Sequence, residues 1–144
     1  MRDFLFRGKS VNSGKWIYGG YFKTDNEHYI ITNTDNLVGF NLWDYAELII
    51  PETISEFIGL TDKNGKKIFE GDIIAYKNYN GKLVVEGVVK YGNFNCSCCD
   101  GVFGWYVGEN GDIRNLQEPN DFYEVIGNIH DNPELLEENE NERN

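Results

Sequence analysis

The segment from Phe57 to Tyr76, FIGLTDKNGKKIFEGDIIAY, constrains the fold more than any other stretch of this 144-residue chain. Its centre, Thr61-Asp62-Lys63-Asn64-Gly65, ends in Asn-Gly, which reaches positive φ at little steric cost and is the strongest short-range reversal signal. Apolar residues flank the turn: Phe57, Ile58 and Leu60 before it, Ile68, Phe69, Ile73 and Ile74 after it. The pattern predicts two strands, residues 53–60 and 68–76, reversing through the turn. Inside the second, Glu70-Gly71-Asp72 reads as a bulge or tight corner. Such corners are common in SH3-like small barrels, a likeness of shape alone.

The remaining pattern extends this reading. Aromatics make up 15% of the chain and are accompanied by 16 Gly and 3 Pro. That combination favours short strands and tight turns over a helical bundle. Residues 3–6 and 16–22 read as strands around a turn at 9–14, and HYIIT at 28–32 as a third. LWDYAELII, at 42–50, fits one helical turn leading into a strand, which period alone does not arbitrate. Pro51 marks a soft subdomain boundary. LVVEGVVKY, at 83–91, follows Asn80-Gly81 and is expected to pair back onto 73–77. Residues 94–98, 103–107 and 122–129 are further strand candidates. Asn132-Pro133-Glu134 places an N-cap residue, Pro at N1 and acid in the first turn, the start of a short helix. Residues 137–144, EENENERN, lack apolar side chains and are expected to fray or be disordered. The chain thus reads as mainly β: a β subdomain over 1–50, a small barrel over 51–133, and an acidic tail with a short helix over 134–144.

The formal net charge is −11. Residues 134–144 hold five Glu and one Arg, or −4, so the remainder carries −7. Nonspecific phosphate binding works through Lys and Arg that release counterions, and this balance opposes it. Lys63, Lys66 and Lys67 read either as a local basic patch or as solvated turn lysines. The first residues alternate polar and apolar side chains and lack the order of a signal peptide. No apolar run approaches the ~20 residues of a membrane helix. A cytoplasmic protein with no membrane partner is expected. Three cysteines, an odd number, then read as free thiols.

Four constellations invite a chemical reading. Glu70 and Asp72 can share a strand face and act as an acid–base pair; alternatively Asp72 accepts turn amides while Glu70 is solvated. Cys96, Cys98 and Cys99 with His130 offer thiolate and imidazole, but lack the paired C-x₂-C spacing of structural zinc sites. His28 and His130 have no partner motif, and no Gly-rich loop carries the lysine and helix of a phosphate cradle. No metal, cofactor or catalytic residue is therefore assigned. Trp16, Tyr18, Tyr21, Trp43, Trp105 and Tyr106 form the fourth set. Trp16 and Tyr18 share strand parity, so they can make a stacking surface for bases, a subunit interface in a homo-oligomer, or part of the core.

The segment GLTDKNGKKIFEGDII, residues 59–74, resembles the signature of the YopX family, small proteins of phages and prophages of Gram-positive bacteria. RDFLFRG at the amino terminus, PETISEFIG at 51–59 and VIGNIHDNPELL at 125–136 are similar to the family's pattern as well. Signature positions include Gly59, Asp62, Asn64, Gly65, Glu70, Gly71 and Asp72. The resemblance implies a β-rich protein with a small barrel subdomain, and it brings no enzymatic activity. The expectation is a non-enzymatic interaction protein in the host bacterial cytoplasm, binding a host or phage protein. Alternatives are a nucleic-acid-binding accessory protein and a binder that sequesters a nucleotide between subunits.

Overall fold

The computed structural model describes residues 5–32, 42–96, 99–107, 114–115 and 123–136. Their strands, in chain order, are β1 Phe6–Lys9, β2 Trp16–Lys23, β3 His28–Ile31, β4 Ala46–Leu48, β5 Ser55–Thr61, β6 Lys67–Phe69, β7 Asp72–Lys77, β8 Leu83–Cys96, β9 Cys99–Val107, β10 Arg114–Asn115 and β11 Glu124–Asn128. Short 3-10 turns lie at Leu42–Asp44 and Pro51–Thr53. One helical turn at 134–136 stands where the Asn-Pro-Glu start signal placed it. The class is mainly β, as composition and turn pattern require. Among the described residues no helix is long and apolar enough to cross a membrane.

The chain divides into two compact units, Met1–Phe57 and Ile58–Asn144. The division falls inside β5 and not at Pro51. The turn at Pro51–Thr53 runs straight into β5, whose Ser55 and Glu56 pair with Arg7 and Phe6 of β1.

In the first unit the strand order is β4-β3-β2-β1-β5. The β1–β2 connection is held by Ser10, which is fully buried. Its Oγ accepts the amides of Asn12 and Ser13 at 3.2 Å and donates to Glu47 Oε2 at 2.9 Å. Thr53 Oγ1 accepts the Lys9 amide at 2.8 Å and donates to the Ile50 carbonyl at 2.7 Å, which fixes the 3-10 turn against β1. Ile30 and Ile49, at 0% and 1% exposure, fill the inner face. Gly8 lies beneath Ile49, and Gly19 beneath the carbonyl oxygen of Ile31, so a Cβ at either would collide. Gly20, next in the chain, has no neighbour among the described residues within 4 Å of a Cβ position.

In the second unit the order is β10-β9-β8-β7-β11, and β6 lies beside β5. The core joins Ile58, Ile68, Ile74, Val89, Trp105 and Val107, with Leu60, Tyr123 and Val125 packed on it. Residues 83–91 pair back onto β7 as expected, from Ile73↔Val88 to Lys77↔Leu83. The expected single strand over 68–76 is split into β6 and β7. Gly71, at φ 88°, turns the chain there, and Asp72 Oδ2 accepts the Phe69 amide at 2.8 Å across the corner. Bulges flank β7 on both sides: Glu86 is the extra residue on β8 and Ile126 on β11. Each bulge bends its strand and raises the local twist. The two strand orders are open, with no closed barrel among the described residues. The corner expected from the SH3 analogy is thus present without closure of the barrel.

The chain closes over a tight polar turn. Asn128 Oδ1 accepts the amides of His130 and Asp131 at 3.0 and 2.9 Å. Asn132 serves the helical turn through its carbonyl, which accepts the Leu135 amide at 3.1 Å. Its side chain turns back, Oδ1 accepting the Asn128 amide at 3.2 Å. That side chain lies over Gly127, where a Cβ would come 2.5 Å from Oδ1.

Adjacent glycines give a paired test of this packing. Gly19→Ala forces a Cβ into a strand backbone and is expected to cost about 1–3 kcal/mol or more. Gly20→Ala meets no described residue and should stay within about 0.5 kcal/mol of the parent. Urea denaturation of both variants measures the difference, and equal midpoints would contradict the account.

Candidate functional site

The acidic signature residues were the first candidates for chemistry, and their partners are backbone amides. Asp62, 4% exposed, accepts the amides of Asn64 and Lys66 on Oδ1, both at 2.9 Å. Its Oδ2 accepts the Val125 amide of β11 at 3.0 Å, from 63 residues away. The backbone of the same turn is bound too: the Lys63 amide donates to the Tyr123 carbonyl at 3.0 Å. Burial alone would raise the Asp62 pKa. The amides of Val125, Lys66 and Asn64, with the Lys66 charge, outweigh it and hold the carboxyl below its ordinary value. Asp72, 1% exposed, accepts the Phe69 amide. Glu70 is exposed, so the two carboxylates of the supposed pair occupy different environments. Gly59 and Gly65 lie at φ 90° and 84°, and Asn64 sits in the turn. The signature is therefore read out as a turn and a corner.

The thiol cluster divides. Cys98 lies outside the described residues, and so do the side chains of Cys96 and Cys99, whose backbones pair at the end of β8 and β9. His130 is half-buried and its amide serves the Asn128 turn. Among the described residues no group of three His, Cys, Asp or Glu could hold a metal ion. His28 faces Tyr21: the phenol and Nδ1 share a hydrogen bond at 2.6 Å, and Phe6 packs on Tyr21 at 5.5 Å.

The aromatic set separates into core and surface. Trp105 is 8% exposed and belongs to the core of the second unit; Tyr91, at 57%, caps it edge-on at 4.9 Å. Burial leaves Trp105 no face for a ligand. Tyr106, next to it on β9, is half-buried. Trp16 and Tyr18 do share a face of β2, together with Gly20 and Phe22. Register places Lys9 and Arg7 opposite Trp16 and Tyr18 on the same side. It also sets Tyr29 opposite Phe22 and Ile31 opposite Gly20. The Arg7 guanidinium lies 4.7 Å from the centre of the Trp16 ring and the Lys9 ammonium 5.4 Å, cation–π contacts that orient the indole. Arg7 Nε also donates to Ser55 Oγ at 3.1 Å.

At the other end, Phe22 stacks on Tyr29 at 5.1 Å, and Trp43 meets both rings edge-on at 5.7 and 5.1 Å. Tyr29 donates its hydroxyl to Glu27 Oε2 at 2.9 Å, a bond that raises the phenol pKa. Trp43 is 55% and Tyr18 48% exposed. The result is an aromatic face with Trp16 and Tyr18 at one end, Phe22, Tyr29 and Trp43 at the other, and Gly20 as a floor between them that no described residue covers. Phe22 and Tyr29 were not among the sequence candidates. The parity of WIYGGYFK already put Phe22 beside Trp16 and Tyr18, but Tyr29 joins only through the β2–β3 register.

Asp62 makes the stability of the second unit sensitive to acid. A carboxyl whose folded pKa lies below its unfolded value stabilises the fold above the ordinary carboxylate range. That contribution is lost as pH falls through the lowered value. Asp62→Asn presents an NH₂ group in place of one acceptor oxygen and should cost about 1–3 kcal/mol at neutral pH. It should also flatten the fall in stability on acidification below about pH 4. Urea midpoints at neutral and acidic pH check both effects. An unchanged acid dependence would remove Asp62 as its source.

The solved crystal structure of protein EF1440 from Enterococcus faecalis is similar to this chain, with 25% sequence identity and a TM-score of 0.52. The likeness covers 94% of this chain and 99% of that one. No curated protein matches the chain. The family model described as YopX protein matches residues 5–137, a span that contains the Asp62 turn with its bond to Val125, the Glu70–Asp72 corner, and the Asn128–Asn132 turn, whose Ile129 amide Gly71 accepts. The chain belongs to the YopX family.

Proposed function

We propose that this protein is a phage- or prophage-encoded, non-enzymatic interaction protein, acting in the host cytoplasm, whose binding surface is the aromatic face of the first unit. The observation that carries the reading is the exposure of Tyr18 and Trp43, 48% and 55%, on either side of the Gly20 floor. Aromatic side chains with exposed faces supply large contact area at low entropic cost and are enriched where partners dock. The fate of the signature acids supports the non-enzymatic half. Asp62 and Asp72 are buried acceptors of backbone amides, and Asp62, held below its ordinary pKa by those amides, is a poor proton carrier.

A photo-crosslinking residue at position 18 tests the surface, with one at position 79 as control. Tyr79 is 98% exposed on the turn after β7 and lies far from the face in sequence. In host cells the position-18 probe is expected to capture a macromolecule that the position-79 probe does not. No adduct, equal adducts at both positions, or adducts only with a second copy of the chain would overturn the proposal.

A further inference from the structure

We infer that Asn80 is a site of spontaneous covalent modification, losing its side-chain amide through a cyclic imide while the chain stays folded, and that Asn64, in a matching turn, is guarded by Asp62. The inference is independent of the aromatic face. It starts from two turns built to one plan. Asp62-Lys63-Asn64-Gly65-Lys66 and Asn78-Tyr79-Asn80-Gly81-Lys82 each begin with Asp or Asn and end in Asn-Gly-Lys. In the first, the Asp62 amide donates to the Lys66 carbonyl at 2.7 Å and the Gly65 amide to the Asp62 carbonyl at 3.0 Å. In the second, the Asn78 amide donates to the Lys82 carbonyl at 2.9 Å and the Gly81 amide to the Asn78 carbonyl at 2.8 Å. Asn78 Oδ1 accepts the amides of Asn80 and Lys82 at 3.0 Å, just as Asp62 Oδ1 accepts those of Asn64 and Lys66. Gly65 and Gly81 correspond at φ 84° and 80°.

An Asn-Gly pair carries its own reaction. The glycine nitrogen attacks the asparagine Cγ, and no Cβ on the glycine blocks the approach. A C–N bond forms, the Cγ–NH₂ bond breaks, and ammonia leaves with the proton of the glycine amide. Water then opens the imide at one carbonyl or the other. The sum is asparagine plus water giving aspartate or isoaspartate plus ammonia, with no change of oxidation state. Asn64 and Asn80 are both exposed. In each turn, however, the attacking nitrogen is tied by its hydrogen bond to the first residue's carbonyl. The turn must open before the ring can close, so the free energy of local opening sets the rate.

Here the two turns part. Opening the Asn78 turn breaks its own four bonds. Opening the Asp62 turn breaks the matching four and two more: the Val125 amide to Asp62 Oδ2, and the Lys63 amide to the Tyr123 carbonyl, both at 3.0 Å. Among the described residues Asn78 makes no hydrogen bond beyond its own turn. Burial divides the same way. Asp62 is 4% exposed, whereas Tyr79 at 98% and Leu83 at 41% place the second turn at a solvent-facing tip. Two further bonds of ordinary net strength make the Asp62 turn about 5- to 150-fold less often open. The change at position 80 alters the tip in two ways. It sets a negative charge between the exposed Lys77 and Lys82, and isoaspartate lengthens the backbone by one carbon where the hairpin closes. The tip thus records the age of the molecule. A third Asn-Gly pair, at 110–111, lies outside the described residues.

Peptide mapping by mass spectrometry tests this on the full chain aged at neutral pH, with isoaspartate counted by enzymatic methyl transfer. The urea-unfolded chain supplies the reference, in which both pairs, each followed by lysine, should react at similar rates. In the folded chain, position 80 is expected to convert about 5- to 150-fold faster than position 64. Asp62→Asn, which takes the acceptor from the Val125 amide, should speed conversion at 64 and leave 80 unchanged. Equal conversion at the two positions of the folded parent, faster conversion at 64, or none at 80 while the unfolded chain reacts would overturn the inference. So would an Asp62→Asn chain that keeps a cooperative urea transition yet converts position 64 no faster than the parent.

Discussion

A single carboxylate organises the second unit. Asp62 accepts three backbone amides, two from its own turn and one from β11, and so joins the central turn of the sequence to a strand near its end. A buried carboxylate without such partners would be costly, and an amide turned inward without an acceptor equally so. Each group solves the other's problem. The neighbouring bond from the Lys63 amide to the Tyr123 carbonyl makes the junction two-sided. The strands that meet there also bring Tyr123 and Val125 onto the Ile58–Trp105 core. Polar satisfaction and apolar packing are thus decided at the same place.

The corner at Glu70–Asp72 repeats the device on a shorter scale. Asp72 ties the end of β6 to the start of β7, and Gly71 lets the chain pass between them. The Gly71 carbonyl accepts the Ile129 amide at 3.0 Å, while its own amide donates to Val89 at 2.9 Å. The residues that make the signature recognisable are therefore those whose backbones meet distant strands. This explains why the motif is rich in Gly and Asp. The first unit uses hydroxyls for the same task, with Ser10 and Thr53 clamping the chain on either side of β1.

Local chemistry was legible in the sequence, and long-range partnership was not. The Asn64-Gly65 reversal, the β7–β8 pairing after Asn80-Gly81, and the helical turn leading into β4 all follow from a few adjacent residues. Asp62 could be seen as a turn residue, but its bond to Val125 depends on an alignment across 63 residues that no local pattern encodes. The aromatic face shows the same limit. Alternation put Trp16 and Tyr18 on one side of a strand, yet alternation is silent on which side is covered. Trp105 belonged to the same candidate set and proved to be core. The split between β6 and β7 was readable at Glu70-Gly71-Asp72 as a corner, while the departure of β7 into another strand order was not. The boundary signal at Pro51 marked a real turn, but Ser55 continues into pairing with β1, so the division comes later.

The span bridged by Asp62 has a consequence for how the protein is made. Ribosomes add roughly 5–20 residues per second, so Val125 emerges some seconds after Asp62 has formed its turn. During that interval the Asp62 carboxylate has two of its three amides, and the edge of β7 that β11 will cover is unpaired. Domains dominated by such distant pairings fold slowly, in milliseconds to seconds, and exposed strand edges invite association with other chains. Of the described strands, β11 is thus the last to be synthesised and the one that covers this edge of β7. A chain truncated before Val125 would leave one edge of the buried strand β7 uncovered, and quality control would meet it as a sheet with an open side.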